Sequence, residues 1–456
     1  MLPALSTIGE AISPDAPNRI QLVISSFVLG MGIGTLFVGP LSDAYGRRPV
    51  LISGSLVYII CATIAAQADS LEWMLVARFF QGVGASSPRI VATAMVRDVY
   101  AGRGMARIIF FVMMVFTLIP AIAPLAGAAI VSIGGWRASF ASFAVFATIA
   151  KLWMGLRQEE TLAPEHRRPI RLGLLWEAIT EIIRHPVVSL AILAQSFCYL
   201  LLFNTINLIQ PVFDRLFEMA DTFPYWFAGM ALISGAAAFL NSKLVMSFGM
   251  LRLARLAFFV QTGLSLLISL IWIEGLTGDS LFPFYIVWQT SVFFQTAMTL
   301  GNLNALAMEP MGHMSGIAAS VIGCIATITG AIMAFPFGQA FDGTRLPLSL
   351  GALLASFGAF LTLSLLKQRS PKPEAINAQT VPAGRVGYRC HSGRSSRSSP
   401  GPQAPNRLRQ HPEARTQRPT PSGSRSSDNR ALARTHQTHS ARHRVSRHSK
   451  VPLSVS

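Results

Sequence analysis

The chain has 456 residues, 51% of them hydrophobic and only 13% charged, with a mean hydropathy of +0.46. Soluble domains carry roughly 25% charged residues, which excludes an ordinary water-soluble globule and leaves lipid as the solvent for much of the surface. The formal charge of +17 does not signal a nucleic-acid binder, because residues 381–456 alone hold 15 Lys+Arg against 2 Asp+Glu.

Residues 1–19 carry neither the basic start nor the apolar core of a signal peptide. Apolar stretches then fall near 20–41, 49–67, 73–96, 106–133, 138–156, 187–211, 225–247, 251–273, 281–307, 315–338 and 346–366, about eleven in all. A bilayer core about 30 Å thick needs ~20 apolar residues of helix. A helix satisfies its own backbone hydrogen bonds, which is what lets it cross hydrocarbon. The expected fold class is therefore an all-α polytopic membrane protein.

The connections holding Arg47/Arg48, Arg97/Arg103/Arg107, Arg157/Arg167/Arg168/Arg171 and Lys243/Arg252/Arg255 are basic. The intervening ones (QADSLEW, DRLFEMADTFP, IEGLTGDS, FDGTR) are neutral or acidic. Basic loops stay cytoplasmic, so alternate connections, and the chain after Leu366, are expected inside. The short loop at 308–314 has no Lys or Arg and takes its side from parity. The same parity puts Met1 outside.

The longest connection, 157–186, splits the spans into five and six. Its segment IRLGLLWEAITEIIR has the apolar spacing of an interfacial helix. The expected organisation is a helical bundle over 1–156, a cytoplasmic linker over 157–186, a second bundle over 187–370 and a tail over 371–456. That tail is rich in Arg, Ser, Pro, Gln and His, cannot bury enough apolar surface to fold, and is expected to be disordered. It is either a polybasic segment that touches anionic lipid or a segment without part in transport. Cys61, Cys198 and Cys324 fall inside apolar runs and Cys390 in the tail, with no paired spacing for a disulfide or metal; no metal or cofactor is expected.

The loop between the first two stretches reads Gly39-Pro-Leu-Ser-Asp43-Ala-Tyr-Gly46-Arg47-Arg48-Pro49. Gly39 allows close helix approach, Gly46 permits a tight turn, and the two arginines hold the loop at the cytoplasmic face. The loop resembles the G-x-L-[AS]-D-x-x-G-R-[RK] signature of the major facilitator superfamily at every defining position. The resemblance implies two helical bundles with twelve spans and a gate built around this loop. It also implies that Asp43 meets a helix N-terminus of the other half when the cytoplasmic side is closed. A carboxylate there gains ~0.3–1 kcal/mol when exposed and up to ~2 when partly buried. A degenerate second copy is Leu244-Val-Met-Ser-Phe248-Gly249, with Met246 in place of the acid.

Arg78-Phe-Phe-Gln81-Gly82 resembles the R-x-x-Q-G pattern of the same family. On a helix Arg89 lies about 20° round from Arg78 and roughly 16 Å further along. A cation at mid-membrane normally faces a cavity or a partner, and snorkelling is the competing account, chiefly for Arg78. Arg78, Gln81 and Arg89 are therefore candidates for contact with substrate or a coupling acid. No Asp or Glu falls deep in an apolar stretch, which leaves substrate, a second-half polar group or an upstream acid as the expected partner. Pro120, Pro124 and Gly127 are what remains of the antiporter motif G-x-x-x-G-P-x-x-G-G and are expected in helix packing. Asn204 and Gln210 are candidate cavity polars, with interhelical hydrogen bonding as the alternative. His313 could titrate near neutral pH, or simply be structural.

Several stretches resemble the Bcr/CflA drug-efflux branch in particular: Val96-Arg97-Asp98-Val-Tyr100, Glu160-Thr161-Leu162, Leu240-Asn241-Ser-Lys-Leu244-Val, and the block from Gly301 through Asn302 and Asn304 to His313. Met1-Leu-Pro-Ala-Leu resembles the end of that branch's first helix. Together with the parity this gives the expectation that a first helix, with its proton-coupling acid, stands upstream of Met1.

The resemblance implies a monomeric, multi-pass inner-membrane exporter of small amphipathic compounds, driven by a proton gradient, with a cytoplasmic C-terminus. Export of a native metabolite and a truncated, non-transporting product are the alternatives. A membrane enzyme is disfavoured, because the spans lack clustered His, paired acids or a Ser/His/Asp set.

Overall fold

The computed structural model describes residues 1–369 other than 15–16, 101, 168, 171, 274–280 and 342; the expected tail, 371–456, lies outside them. The described residues form helices and no strand. In chain order these are α1 (Leu5–Ile12), α2 (Leu22–Tyr45), α3 (Arg47–Ala66), α4 (Leu71–Val99), α5 (Gly102–Arg157), α6 (Leu172–Arg184), α7 (Pro186–Arg215), α8 (Phe223–Phe248), α9 (Met250–Ile273), α10 (Phe282–Met308), α11 (Ser315–Gln339) and α12 (Leu346–Arg369).

Helix α5 is two spans in one, broken at Gly135 (φ 68°, ψ −174°), where the sequence places a gap between 133 and 138. Counting both parts, the described residues hold the eleven expected spans. Eight helical segments are by themselves long and apolar enough to cross a membrane. Helices α4 and α10, of 29 and 27 residues, have the length but carry polar side chains along one side. Those side chains turn inward: Arg78, Gln81, Ser86 and Ser87 on α4, and Gln289, Gln295, Thr299 and Asn302 on α10, are all buried. Outward faces carry the reverse, with Phe146 74%, Val287 70% and Phe239 66% exposed, a surface that lipid accommodates and water does not.

Helices α2, α3, α4 and α5 pack on one another, as do α7 to α12. The two groups meet through α2 against α11 and α5 against α8. The segment 1–12, for which the sequence gives no span of its own, folds as a short turn and α1. It buries Ala4, Leu5 and Ile8 in a cluster with Val23, Met74 and Phe140.

Two glycines set the joints of the first and second halves. Gly46 separates α2 from α3 by one residue at φ 103°, and Gly249 separates α8 from α9 at φ 76°. Both lie where an L side chain is strained, and they are the residues that end the two related sequence stretches, Leu41 to Gly46 and Leu244 to Gly249. The internal echo is thus matched by the same joint geometry.

The tightest helix contact joins α2 to α4. A Cβ added at Gly30 would lie 1.9 Å from the Phe79 carbonyl oxygen, and one at Gly82 would lie 2.0 Å from that of Phe27. Small residues allow such backbone approach in lipid, where no hydrophobic drive brings helices together. Gly82→Ala is expected to force the two helices apart and cost about 1–3 kcal/mol, read as a lower unfolding midpoint in detergent. Gly263→Ala, where nothing lies within 4 Å, should leave the midpoint unchanged or slightly raised.

Candidate gating and substrate site

At the α2–α3 joint a polar network forms around Arg47, only 9% exposed. Its Nε donates to Asp98 Oδ2 at 3.0 Å, and its Nη1 donates to Ser42 Oγ at 2.7 Å and to the Asp43 carboxylate. Asp98 also accepts from Thr161 Oγ1 at 3.3 Å. The Asp43 side chain is 47% exposed, and its ion pair is with Arg47 on its own half. The implied contact of Asp43 with a helix N-terminus of the other half is absent from its described contacts.

A different carboxylate occupies a helix N-terminus here. Glu160 accepts from the backbone N–H of Arg47 at 2.9 Å and of Arg48 at 3.1 Å, and from Leu162 N–H at 3.0 Å. The first two are orphan donors of the opening turn of α3, and the dipole there favours negative charge. Gly46 is needed twice over: for its positive φ, and because a Cβ would lie 2.6 Å from Glu160 Oε2. Arg48 donates to the Gly155 carbonyl, so the end of α5 is tied to the same joint. Partial burial pushes the Glu160 carboxyl up, but the N–H groups of Leu162, Arg47, Arg48 and Thr161 outweigh it and hold it below the usual carboxylate range.

Gly39 lies one turn before Asp43 and touches the other half: a Cβ there would sit 3.2 Å from Ser320 Oγ on α11. The linker crosses on the same side. Helix α6 forms where expected, buries Ala178 and Ile182 and leaves Trp176 70% and Ile183 57% exposed. Ile182 joins a cluster with Met311, Ala318 and Val321, and Glu181 pairs with His313 Nε2 at 3.1 Å. The 309–314 turn therefore lies against the linker. The second half has a neutral counterpart to the charged network, in which Asn241 and Asn302 exchange amide hydrogen bonds of 3.2 and 2.7 Å between α8 and α10.

Deeper in the first half, Arg78 is 6% exposed. Its Nε donates to the Val23 carbonyl at 3.2 Å and its Nη1 to Gln81 Oε1 at 2.7 Å. The guanidinium lies 4.3 Å from the Phe27 ring centroid and 5.8 Å from that of Phe140. These partners, a carbonyl, an amide and two ring faces, are none of the three that the sequence left open. Arg89 lies exposed on the same helix, so the shared face does not put both cations in one environment.

Asn204 donates to the Leu348 carbonyl on α12 at 2.9 Å and is fully buried, the interhelical alternative. Gln210, 3% exposed, lines a cavity. Pro124 and Gly127 are buried on α5, which packs on Leu2–Ala4; the Pro120 side chain lies outside the described residues.

The cavity, of about 270 Å³, is bounded by residues of both halves at the end away from Asp43. Beside it the halves are joined by hydrogen bonds: Asn18 Nδ2 donates to the carbonyls of Phe341 and Gln339, and Gln339 Nε2 donates to the Asn18 carbonyl at 3.2 Å. Sequence reasoning missed Asn18, Gln339 and Asp98 as site residues. It quoted Glu160 within a family-like stretch without giving it a role.

A Major Facilitator Superfamily family model matches residues 1–334. The chain belongs to that superfamily. Among curated relatives, the bicyclomycin resistance protein homolog of Haemophilus influenzae is 27% identical over 368 residues, covering 80% of this chain and 89% of its own. Multidrug resistance protein MdtL of Shewanella oneidensis is 27% identical over 368 residues, covering 80% and 90%. A solved D-xylose-proton symporter superposes with a TM-score of 0.63 at 14% identity, over 81% of this chain and 92% of that one, which shows the fold. The protein is thus a multi-pass membrane transporter of major facilitator fold.

Replacing Glu160 with Ala is expected to destabilise the protein by about 1 kcal/mol, the scale of a lost helix cap. Its carboxyl is held low, so the capping advantage is complete above the unfolded value near pH 4.3 and is lost as pH falls through the folded value. Unfolding midpoints of the parent and the variant, measured in detergent across pH, should differ at neutrality and converge in acid.

Proposed function

We propose that this transporter exports small amphipathic compounds by proton antiport, its two halves (1–156 and 187–370) rocking about a central path with 157–186 as the cytoplasmic linker. The observation that carries the reading is the contact of α2 with α11 across the halves. It combines small-residue packing of Gly39 against Ser320 and of Gly32 against Ile328 with neutral hydrogen bonds between Asn18, just before α2, and Gln339 at the end of α11. Such neutral contacts can break and re-form without separating charges, whereas the first half is held internally by the Arg47 ion pairs and both halves by glycine packing. Support for drug efflux comes from the names of the relatives, bicyclomycin and multidrug resistance proteins.

In this reading the Asp43–Arg47–Asp98 network, with Arg48, Gly39 and Gly46, keeps the α2–α3 joint rigid on the cytoplasmic side, so that α2 moves as a rod. Arg78 and Gln81 stiffen the first half from within, Arg89 places a second cation on α4 for substrate or coupling contact, and Gln210 faces the substrate path. The location is the inner membrane, the working unit is one chain, and the C-terminus is cytoplasmic.

The test is gradient-driven uptake of a bicyclomycin- or chloramphenicol-type compound into everted vesicles. Uptake should require an imposed proton gradient and collapse with a protonophore; a rate indifferent to the gradient would remove antiport. Arg78→Lys keeps the charge but loses the planar fork and its fit to the Phe27 ring. It is expected to slow uptake several-fold with the protein still in the membrane, and Arg78→Ala should slow it further.

A further inference from the structure

Lys243, Arg252, Arg255 and Lys367 lie at the membrane edge where α8 gives way to α9 and where α12 ends. Lys243 precedes the Gly249 joint, Arg252 and Arg255 lie in the first turns of α9, and Lys367 lies in the last turn of α12. Leu251 and Ala254 of α9 share a cluster with Leu363 and Leu366 of α12, so the start of one helix packs on the end of the other. Further in, the rings of Phe259 and Phe360 meet with centroids 5.5 Å apart. Arg255 stands one turn before Phe259 and Lys367 two turns after Phe360, each on the same face of its helix as the ring. The two cations therefore border one cleft, and Arg252 lies one turn beyond.

No described acid answers these cations. Residues 222–273, which hold Lys243, Arg252 and Arg255, contain no Asp or Glu. Among the described residues, none of the ion pairs involves these three or Lys367. Lys243 instead has its Nζ 4.6 Å from the Phe239 ring centroid. The first half answers its own joint with Asp43, Asp98 and Glu160, and no described carboxylate does this for the second. Arg252 also heads the lipid-facing stripe of α9, sharing its face with the exposed Leu256, Phe259 and Leu270. Cations at the rim of such a stripe reach the depth of lipid phosphates, and basic clefts between spanning helices take anionic head groups.

We propose that the cleft between the start of α9 and the end of α12 binds an anionic phospholipid. Its phosphate is held by Arg252, Arg255 and Lys367, and its chains lie along Leu256, Phe259 and Phe360. Lys243, on the α8 side of the joint, adds attraction at longer range. The lipid supplies to the second joint the negative charge that Asp43, Asp98 and Glu160 supply to the first. The assignment needs only the membrane-spanning fold and is independent of what the protein exports.

Native mass spectrometry of the full-length protein in detergent tests it, with phosphatidylglycerol as the probe and phosphatidylcholine of the same chains as its zwitterionic counterpart. The parent protein should hold phosphatidylglycerol more tightly than phosphatidylcholine. Arg252→Gln, Arg255→Gln and Lys367→Gln should each weaken phosphatidylglycerol about fivefold, the scale of one basic residue at an anionic surface. Arg252→Lys keeps the charge and should bind as the parent does, which separates a lost contact from a lost fold. Arg107→Gln, which removes an exposed cation of the first half, should leave binding unchanged, and equimolar glycerol phosphate should not displace the lipid. Equal affinity for the two lipids, or no loss in the three glutamine variants, would overturn the site. So would failure of Arg252→Lys to bind, a loss in Arg107→Gln as large as theirs, or displacement by glycerol phosphate. Vesicle uptake of a drug persisting through any of these failures leaves the proposed export function standing, so the two are separable.

Discussion

The close approach of α2 to α4 is the constraint on which the rest depends. In lipid no hydrophobic gain is left for pushing helices together, so contact must come from van der Waals fit and from polar groups satisfied between helices. At Gly30 and Gly82 two backbones touch without intervening side chains. That contact places Phe27 over the Arg78 guanidinium and the Val23 carbonyl within reach of its Nε. With its middle fixed, α2 presents one end at Asp43 and Arg47 and the other, through the turn before it, at Asn18. A single helix thereby carries the contact with α11 along its length, while α5 against α8 makes the other contact between the halves.

Arg78 shows how a membrane bundle accommodates a cation whose described partners include no acid. The isolated charge would be expensive at mid-membrane depth. Here the cost is distributed over a carbonyl, an amide and two ring quadrupoles. The arrangement depends on the planar fork and its stacking more than on net charge, which makes Arg78 a shape-specific part of the interior. The second half also buries a cation, Arg345, 9% exposed with its guanidinium 4.8 Å from the Phe217 ring centroid. Elsewhere its interior is built on amides and hydroxyls such as the ring of Gln261, Ser265, Trp288 and Ser291 on α9 and α10.

How much of this was legible in the sequence follows from the range of each signal. Apolar run length reports on the membrane, so eleven spans could be counted, including the pair that the backbone joins across Gly135. The loop signature is contiguous, so Gly39, Asp43, Gly46 and Arg47 could be singled out, and the superfamily with them. What stayed hidden depends on partners far apart in the chain. Glu160 lies more than a hundred residues from the helix it caps, and Asn18 more than three hundred from Gln339, so no local pattern marks either. Arg78 was found but its partners were not, because a carbonyl and a ring leave no charge pattern to read. Arg89 shares a face with Arg78 yet is exposed where Arg78 is buried: angular spacing gives a face and not what covers it.

The joints at Gly46 and Gly249 share one backbone geometry but differ in what surrounds them. The first is held by two ion pairs and a carboxylate on a helix dipole, and the second half is clamped by the neutral Asn241–Asn302 exchange. Partly buried charges 3.0 Å apart lie well inside the Debye length of about 10 Å at 0.1 M salt and are screened little. Acid is what separates the two: it removes the Glu160 carboxylate from the α3 N-terminus and finds no titratable group in the Asn241–Asn302 pair, so a falling pH loosens one joint and not the other.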